Sequence, residues 1–175
     1  MLRADAQREL LETRARSFRI RQMAHSFGSE RYCKRGRWLG LAVVVLTTIV
    51  GTGAFISLQN DPSTYAKVIV TVLSITAAVA AALKEYAGYE DLSKRHGSAA
   101  TEYQKLRYGT EELLEELLDG ASPEDLRERL GKLDERAGTL TAETIPVLPG
   151  GLYRKAERWV DEQRLRTSAG VSSGF

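Results

Sequence analysis

With 175 residues, 27% of them charged, and a net charge of +2, the chain averages out as soluble, and its mean hydropathy of −0.27 agrees. The average conceals a segregation: Trp38 to Leu58 is a run of 21 residues without a charge and Val68 to Leu83 another of 16, while the remainder is dense in Arg, Lys, Glu and Asp. That distribution excludes an ordinary soluble globule and a disordered tail, and the single cysteine, Cys33, excludes a disulfide-stapled secreted domain and fits a reducing interior.

Residues 1–34 read as a basic amphipathic helix, with Leu10, Leu11, Ala15, Phe18, Met23 and Phe27 among many arginines. Two settings suit it: an anionic lipid surface beside the first apolar run, or a packed position on neighbouring helices. It is no secretory leader, because 37 residues precede the apolar run and that run exceeds the roughly 7–15 residues of a signal peptide. Asp5, Glu9, Glu12 and Glu30 argue against an organellar transit peptide.

Residues 35–87 are expected to form a transmembrane hairpin with spans at 38–58 and 66–85. The first run is long enough to cross the roughly 30 Å hydrocarbon core as a helix. The second covers only about 24 Å, which Lys67 and Lys84 extend by snorkelling, with Tyr65 and Tyr86 suited to the interfaces. A buried helix of a soluble bundle is the alternative for this second segment. Asn60-Asp61-Pro62 is turn chemistry, and so short a connection makes the spans antiparallel neighbours. Residues 1–37 hold ten basic side chains against four acidic ones, with Lys34, Arg35 and Arg37 next to the first span and Lys84 at the end of the second. The positive-inside rule therefore puts both termini in the cytoplasm of a two-span inner-membrane protein.

Residues 88–145 follow as a helical hairpin. Tyr89, Leu92, His96, Ala99, Tyr103, Leu106, Thr110, Leu113 and Leu117 alternate spacings of three and four, a heptad seam. One long helix is expected to leave the bilayer as a stalk, either as a free coiled coil or in an intramolecular bundle. Gly120 ends it, Ser122-Pro123 supplies an N-cap and a first-turn proline, and Leu126, Leu130, Leu133, Ala137 and Leu140 mark a helix that folds back antiparallel. Residues 146–175 give a short last helix, with Tyr153, Ala156, Trp159 and Val160 on one side, and a tail from Thr167 expected to be disordered. No strand pattern occurs, so the fold class is all-α.

The residue inventory supplies no catalytic constellation, no metal set and no cofactor motif. His25 and His96 lie far apart in sequence, and His96 falls on the seam, where a packed histidine is the simpler reading. Gly51-Thr52-Gly53 lacks the Gly-Lys-Ser/Thr ending and the preceding strand of a phosphate loop. Glu111, Glu112, Glu115 and Glu116 make a solvated helix face. No nucleic-acid partner is expected. What the spans do carry is small and hydroxylated residues: Thr47, Thr48, Gly51 and Thr52 in the first, Thr71, Ser74 and Ala78 in the second. Such stripes hold membrane helices together, and across several copies they can line a pore. Two spans cannot enclose a channel, so a pore requires a homo-oligomer.

The run Arg35-Gly36-Arg37-Trp38-Leu39-Gly40 entering a first span that ends near Gly51-Thr52-Gly53, a short loop, a second span, and then His96-x-x-Ala99-Ala100-x-x-Tyr103-x-x-Leu106-Arg107 together resemble the SLATT domain family over roughly residues 10–145. The resemblance implies a two-transmembrane effector of nucleotide-dependent conflict systems that forms pores and kills or arrests the infected cell. It implies as partner a nucleotide-signal synthase or a sensor protein, since no sensor or enzyme domain is appended. The expected function is therefore an oligomeric pore in a bacterial antiviral response, with Thr71, Ser74 and Ala78 lining it and Thr48 and Gly51 at helix contacts. The alternative is a non-conducting membrane scaffold that recruits a cytoplasmic partner through the heptad helix.

Overall fold

A computed structural model of the chain describes residues 2–59, 64–143 and 146–168. Among them are five helices and no strand: α1 (Leu2–Gln59), α2 (Thr64–Ala87), α3 (Tyr89–Leu118), α4 (Pro123–Glu143) and α5 (Gly150–Ser168). The chain divides into two units, one of residues 31–93 and one that joins residues 1–30 to 94–175, so that α1 and α3 each contribute to both. The Asn60-Asp61-Pro62 turn and most of the tail lie outside the described residues, although Thr167 and Ser168 still belong to α5.

The larger unit is a four-helix bundle whose core reads off two stripes of α1. Leu11 and Phe18, a heptad apart, face α3 and α4. Leu11 packs with Leu113, Leu126 and Leu130, and Phe18 with Tyr103, Leu106 and Ala137. Ile20 and Ala24 face α5 and meet Ala156 and Val160. The basic N-terminal segment is thus a packed helix, the second of its two expected settings. Its apolar residues find neighbours here, and Leu10 alone among those singled out is largely exposed. The seam of α3 is buried at His96, Ala99, Tyr103, Leu106, Thr110 and Leu113 and half-buried at Leu92 and Leu117, so it closes an intramolecular bundle. On α5 the buried side is Leu152, Ala156 and Val160, with Trp159 half-buried and Tyr153 exposed.

The turns follow their chemistry. At Gly120 (φ +88°) the amide of Ala121 donates to the Glu116 carbonyl at 3.0 Å and that of Gly120 to Leu117 at 3.3 Å, the pair of bonds that closes a helix through a left-handed residue. Ser122 then caps α4, its hydroxyl accepting from the Glu124 amide at 3.4 Å. The expected single helix from the second span into the stalk is interrupted. Gly88 (φ +55°) separates α2 from α3, and its carbonyl takes the first bond of the new helix from the Leu92 amide at 2.9 Å. Only glycine enters that conformation without steric cost, which is why the break falls there.

Candidate functional site in the apolar hairpin

The smaller unit holds the two apolar runs, in α1 and α2, as an antiparallel pair. α1 turns Gly36, Leu39, Gly40, Val43, Leu46, Val50 and Gly53 inward, and α2 answers with Val70, Leu73, Ser74, Ala77, Ala80 and Lys84. Small residues set the spacing. A methyl group on Gly53 would stand 3.2 Å from Val70 Cγ2, and one on Gly36 would stand 3.4 Å from Tyr89 Cβ. Close backbone approach of this kind is how helices associate where no hydrophobic drive exists. Below it, the Tyr32 and Tyr89 rings stack at 6.2 Å.

The outward faces are apolar and uncovered: Leu41, Val44, Val45 and Ile49 on α1 and Val68, Ile69, Val72, Ile75, Val79 and Leu83 on α2 are all exposed. Aromatic side chains bound them. The contact of Gly36 with Tyr89 and of Gly40 with Lys84 puts Trp38 level with Tyr86, and these are 73% and 93% exposed. Tyr65 stands at the other end, 79% exposed. From Tyr65 to Tyr86 the helix rises about 32 Å, the thickness of a hydrocarbon core with amphipathic rings at both surfaces. Outside the Trp38–Tyr86 level Lys34, Arg35 and Arg37 are exposed, while Lys84 lies half-buried along Gly40.

The hydroxyl residues sort between the two faces. Thr47, Thr48, Thr52 and Thr71 are exposed, as are Gly51 and Ala78, while Ser74 sits half-buried on the inner face of α2. Each hydroxyl donates to a carbonyl one turn back: Thr48 to Val44 and Ser74 to Val70 at 2.8 Å, Thr47 to Val43, Thr52 to Thr48 and Thr71 to Lys67 at 2.9 Å. A donor satisfied in this way leaves the hydroxyl oxygen its lone pairs for accepting. The seam residues belong to the bundle, except for Tyr89 and Leu92 at the start of α3, which belong to the hairpin unit.

A profile for "SMODS and SLOG-associating 2TM effector domain family 4" matches residues 20–158, covering the hairpin and most of the bundle. The chain belongs to that family. The family is described as a two-transmembrane effector, which agrees with the hairpin and its two aromatic levels, and its description names no enzyme. No curated protein and no solved structure matches the chain.

One juxtaposition in this SLATT chain escapes a reading of the sequence. His25 and His96, 71 residues apart, meet inside the bundle with Nδ1 atoms 3.0 Å from each other. The ring of His25 also stacks on Tyr103 at 5.6 Å, and Phe18 stacks on the same tyrosine at 6.5 Å. The signal was present in two parts. Leu11, Phe18 and His25 recur every seven residues on α1, and His96 and Tyr103 recur every seven on α3. Matching the two heptads would have paired them.

Proposed function

We propose that this chain is an oligomeric, pore-forming effector of a bacterial conflict response. It sits in the inner membrane with both termini cytoplasmic and permeabilises or depolarises that membrane when triggered. The observation that carries the reading is the set of exposed hydroxyls on the outer faces of a hairpin whose inner faces are closed by glycine contacts. One hairpin has no room between its helices for an ion, so a conducting path must run between copies. Thr71 and Ala78 of α2 then border it, with Ser74 at the edge of the inner seam and Thr47, Thr48 and Thr52 at contacts between copies. Exposed hydroxyl oxygens, with lone pairs left to accept, suit water and cations. The exposed Lys34, Arg35 and Arg37 at one end of the hairpin support the cytoplasmic placement of the termini. The family description supports a partner of the SMODS or SLOG kind as the source of the trigger. The scaffold alternative draws less support, because the heptad face it would offer to a partner is buried within the chain.

The test is ion efflux from liposomes holding the purified oligomer, with cyclic nucleotides and cell extract as triggers. Thr71→Leu is expected to cut efflux by about ten-fold, roughly 1.4 kcal/mol on the barrier, with the oligomer unchanged in size. Equal efflux from the variant would remove that face from the path. Liposomes that hold their ions under every trigger would overturn the pore in favour of the scaffold.

A further inference from the structure

The bundle encloses a titratable pair for which the pore reading has no use. His25 is 3% exposed and His96 fully buried, and their Nδ1 atoms lie within one hydrogen bond of each other. That contact requires the two rings to be in different tautomers. One ring carries its proton on Nδ1 and donates, and the other carries it on Nε2 and accepts. The pair joins α1 to α3, and the packing around it is tight: a methyl group on Gly28 would stand 3.1 Å from His96 Nδ1. The His25 ring also stacks on Tyr103, with centroids 5.6 Å apart.

Of the charged side chains, Arg21 acts on His25, and as a cation it disfavours an added proton. From α1, Arg21 lies over the Tyr103 ring at 5.7 Å and brings a positive charge. From α3 comes the Tyr103 phenol. On α4, Asp134 is held by Arg14 and Arg136 by Glu102, and on α5, Asp161 is held by Arg16 while Lys155 lies over Phe27. Burial, then His96, then Arg21 push His25 down to about 4, and burial lowers His96 as well.

Protonation acts in two steps. A first proton on Nε2 of the donor ring leaves the Nδ1 contact intact but places a cation in the core. A second puts N–H groups on both Nδ1 atoms, which then face each other without an acceptor, and the rings must part. We propose that the His25–His96 pair is an acid-released latch between α1 and α3, clamping the two helices while neutral and parting them when protonated. The partners it joins are the two helices shared by both units of the chain. The sign follows from linkage. An opened histidine titrates near its ordinary 6.5 and the closed His25 near 4, so closure has its full strength above about pH 6.5 and loses it as pH falls toward 4.

Hydrogen exchange of the full chain in detergent tests this without reference to conduction. After correction for intrinsic rates, the amides of residues 18–28 and 96–106 are expected to exchange at least about ten-fold faster at pH 5 than at pH 7. In His25→Gln, and separately in His96→Gln should the first fail to fold, that acceleration is expected to shrink to about two-fold or less. Protection that stays level across the range in the wild type would overturn the latch, as would an equal acid loss in wild type and variant. Histidine NMR of the wild type gives the second readout. Coupled titration below the ordinary range supports the latch, and two independent titrations near 6.5 overturn it.

Discussion

Gly28 has no side chain because His96 occupies the space one would need. An alanine there would stand 3.1 Å from His96 Nδ1, so the imidazole must shift, and overpacking of this kind costs about 1–3 kcal/mol. Gly131, in mid-α4, has nothing within 4 Å of where its Cβ would be. Alanine at that position is expected to stabilise by about 0.5–1 kcal/mol through helix propensity. Chemical unfolding of Gly28→Ala and Gly131→Ala would therefore move in opposite directions from the wild type. Equal shifts would show that residue 28 does not seat the histidine. Sequence reading sees two helical glycines and has no means of ranking them, because the difference lies in a side chain 68 residues away. It reads the core of α3 well, since Tyr103, Leu106 and Leu113 declare themselves by period alone.

At the scale of elements, patterns that are continuous in sequence were the legible ones. The heptad of α3, the leucine repeat of α4 and the Gly120–Ser122 turn all occupy the places their spacing assigns. The break at Gly88 was not legible, because Lys84 to Leu92 keeps a helical composition on both sides and one glycine reads as a tolerated defect. Its positive φ is what decides. An L-residue there costs about 1 kcal/mol or more in strain. Gly88→Ala is therefore expected to lower the stability of the α2–α3 junction by that amount. The readout is faster exchange of the Leu92 amide, whose acceptor is the Gly88 carbonyl. Unchanged exchange would mean the junction relaxes without strain. The N-terminal helix shows the other limit: its basic, loosely apolar sequence suits lipid and protein neighbours alike, and only the position of α5 shows that Ile20 and Ala24 have a second partner.

For the whole molecule, the two aromatic levels make a prediction about depth. Trp38 and Trp159 are the tryptophans, so Trp159→Phe isolates the emission of Trp38. Bilayers brominated near the glycerol end of the acyl chains are expected to quench it more strongly than bilayers brominated at the chain ends. The reverse order would place Trp38 in the middle of the membrane and shift the whole hairpin by half its length. The buried seam of α3 carries a consequence of a different kind. A coiled coil left open to water would assemble according to bulk concentration, but here that surface is already covered by the chain's own helices. In the proposed oligomer, association between copies would then fall to the exposed apolar faces of the hairpin, where the governing variable is the number of chains per unit area of bilayer. An n-membered ring formed in this way varies as the nth power of surface density. On the proposed reading, a small rise in copy number, or crowding into a patch of membrane, would convert a scattered population of hairpins into assemblies over a narrow range, a threshold that belongs to the membrane rather than to any one chain.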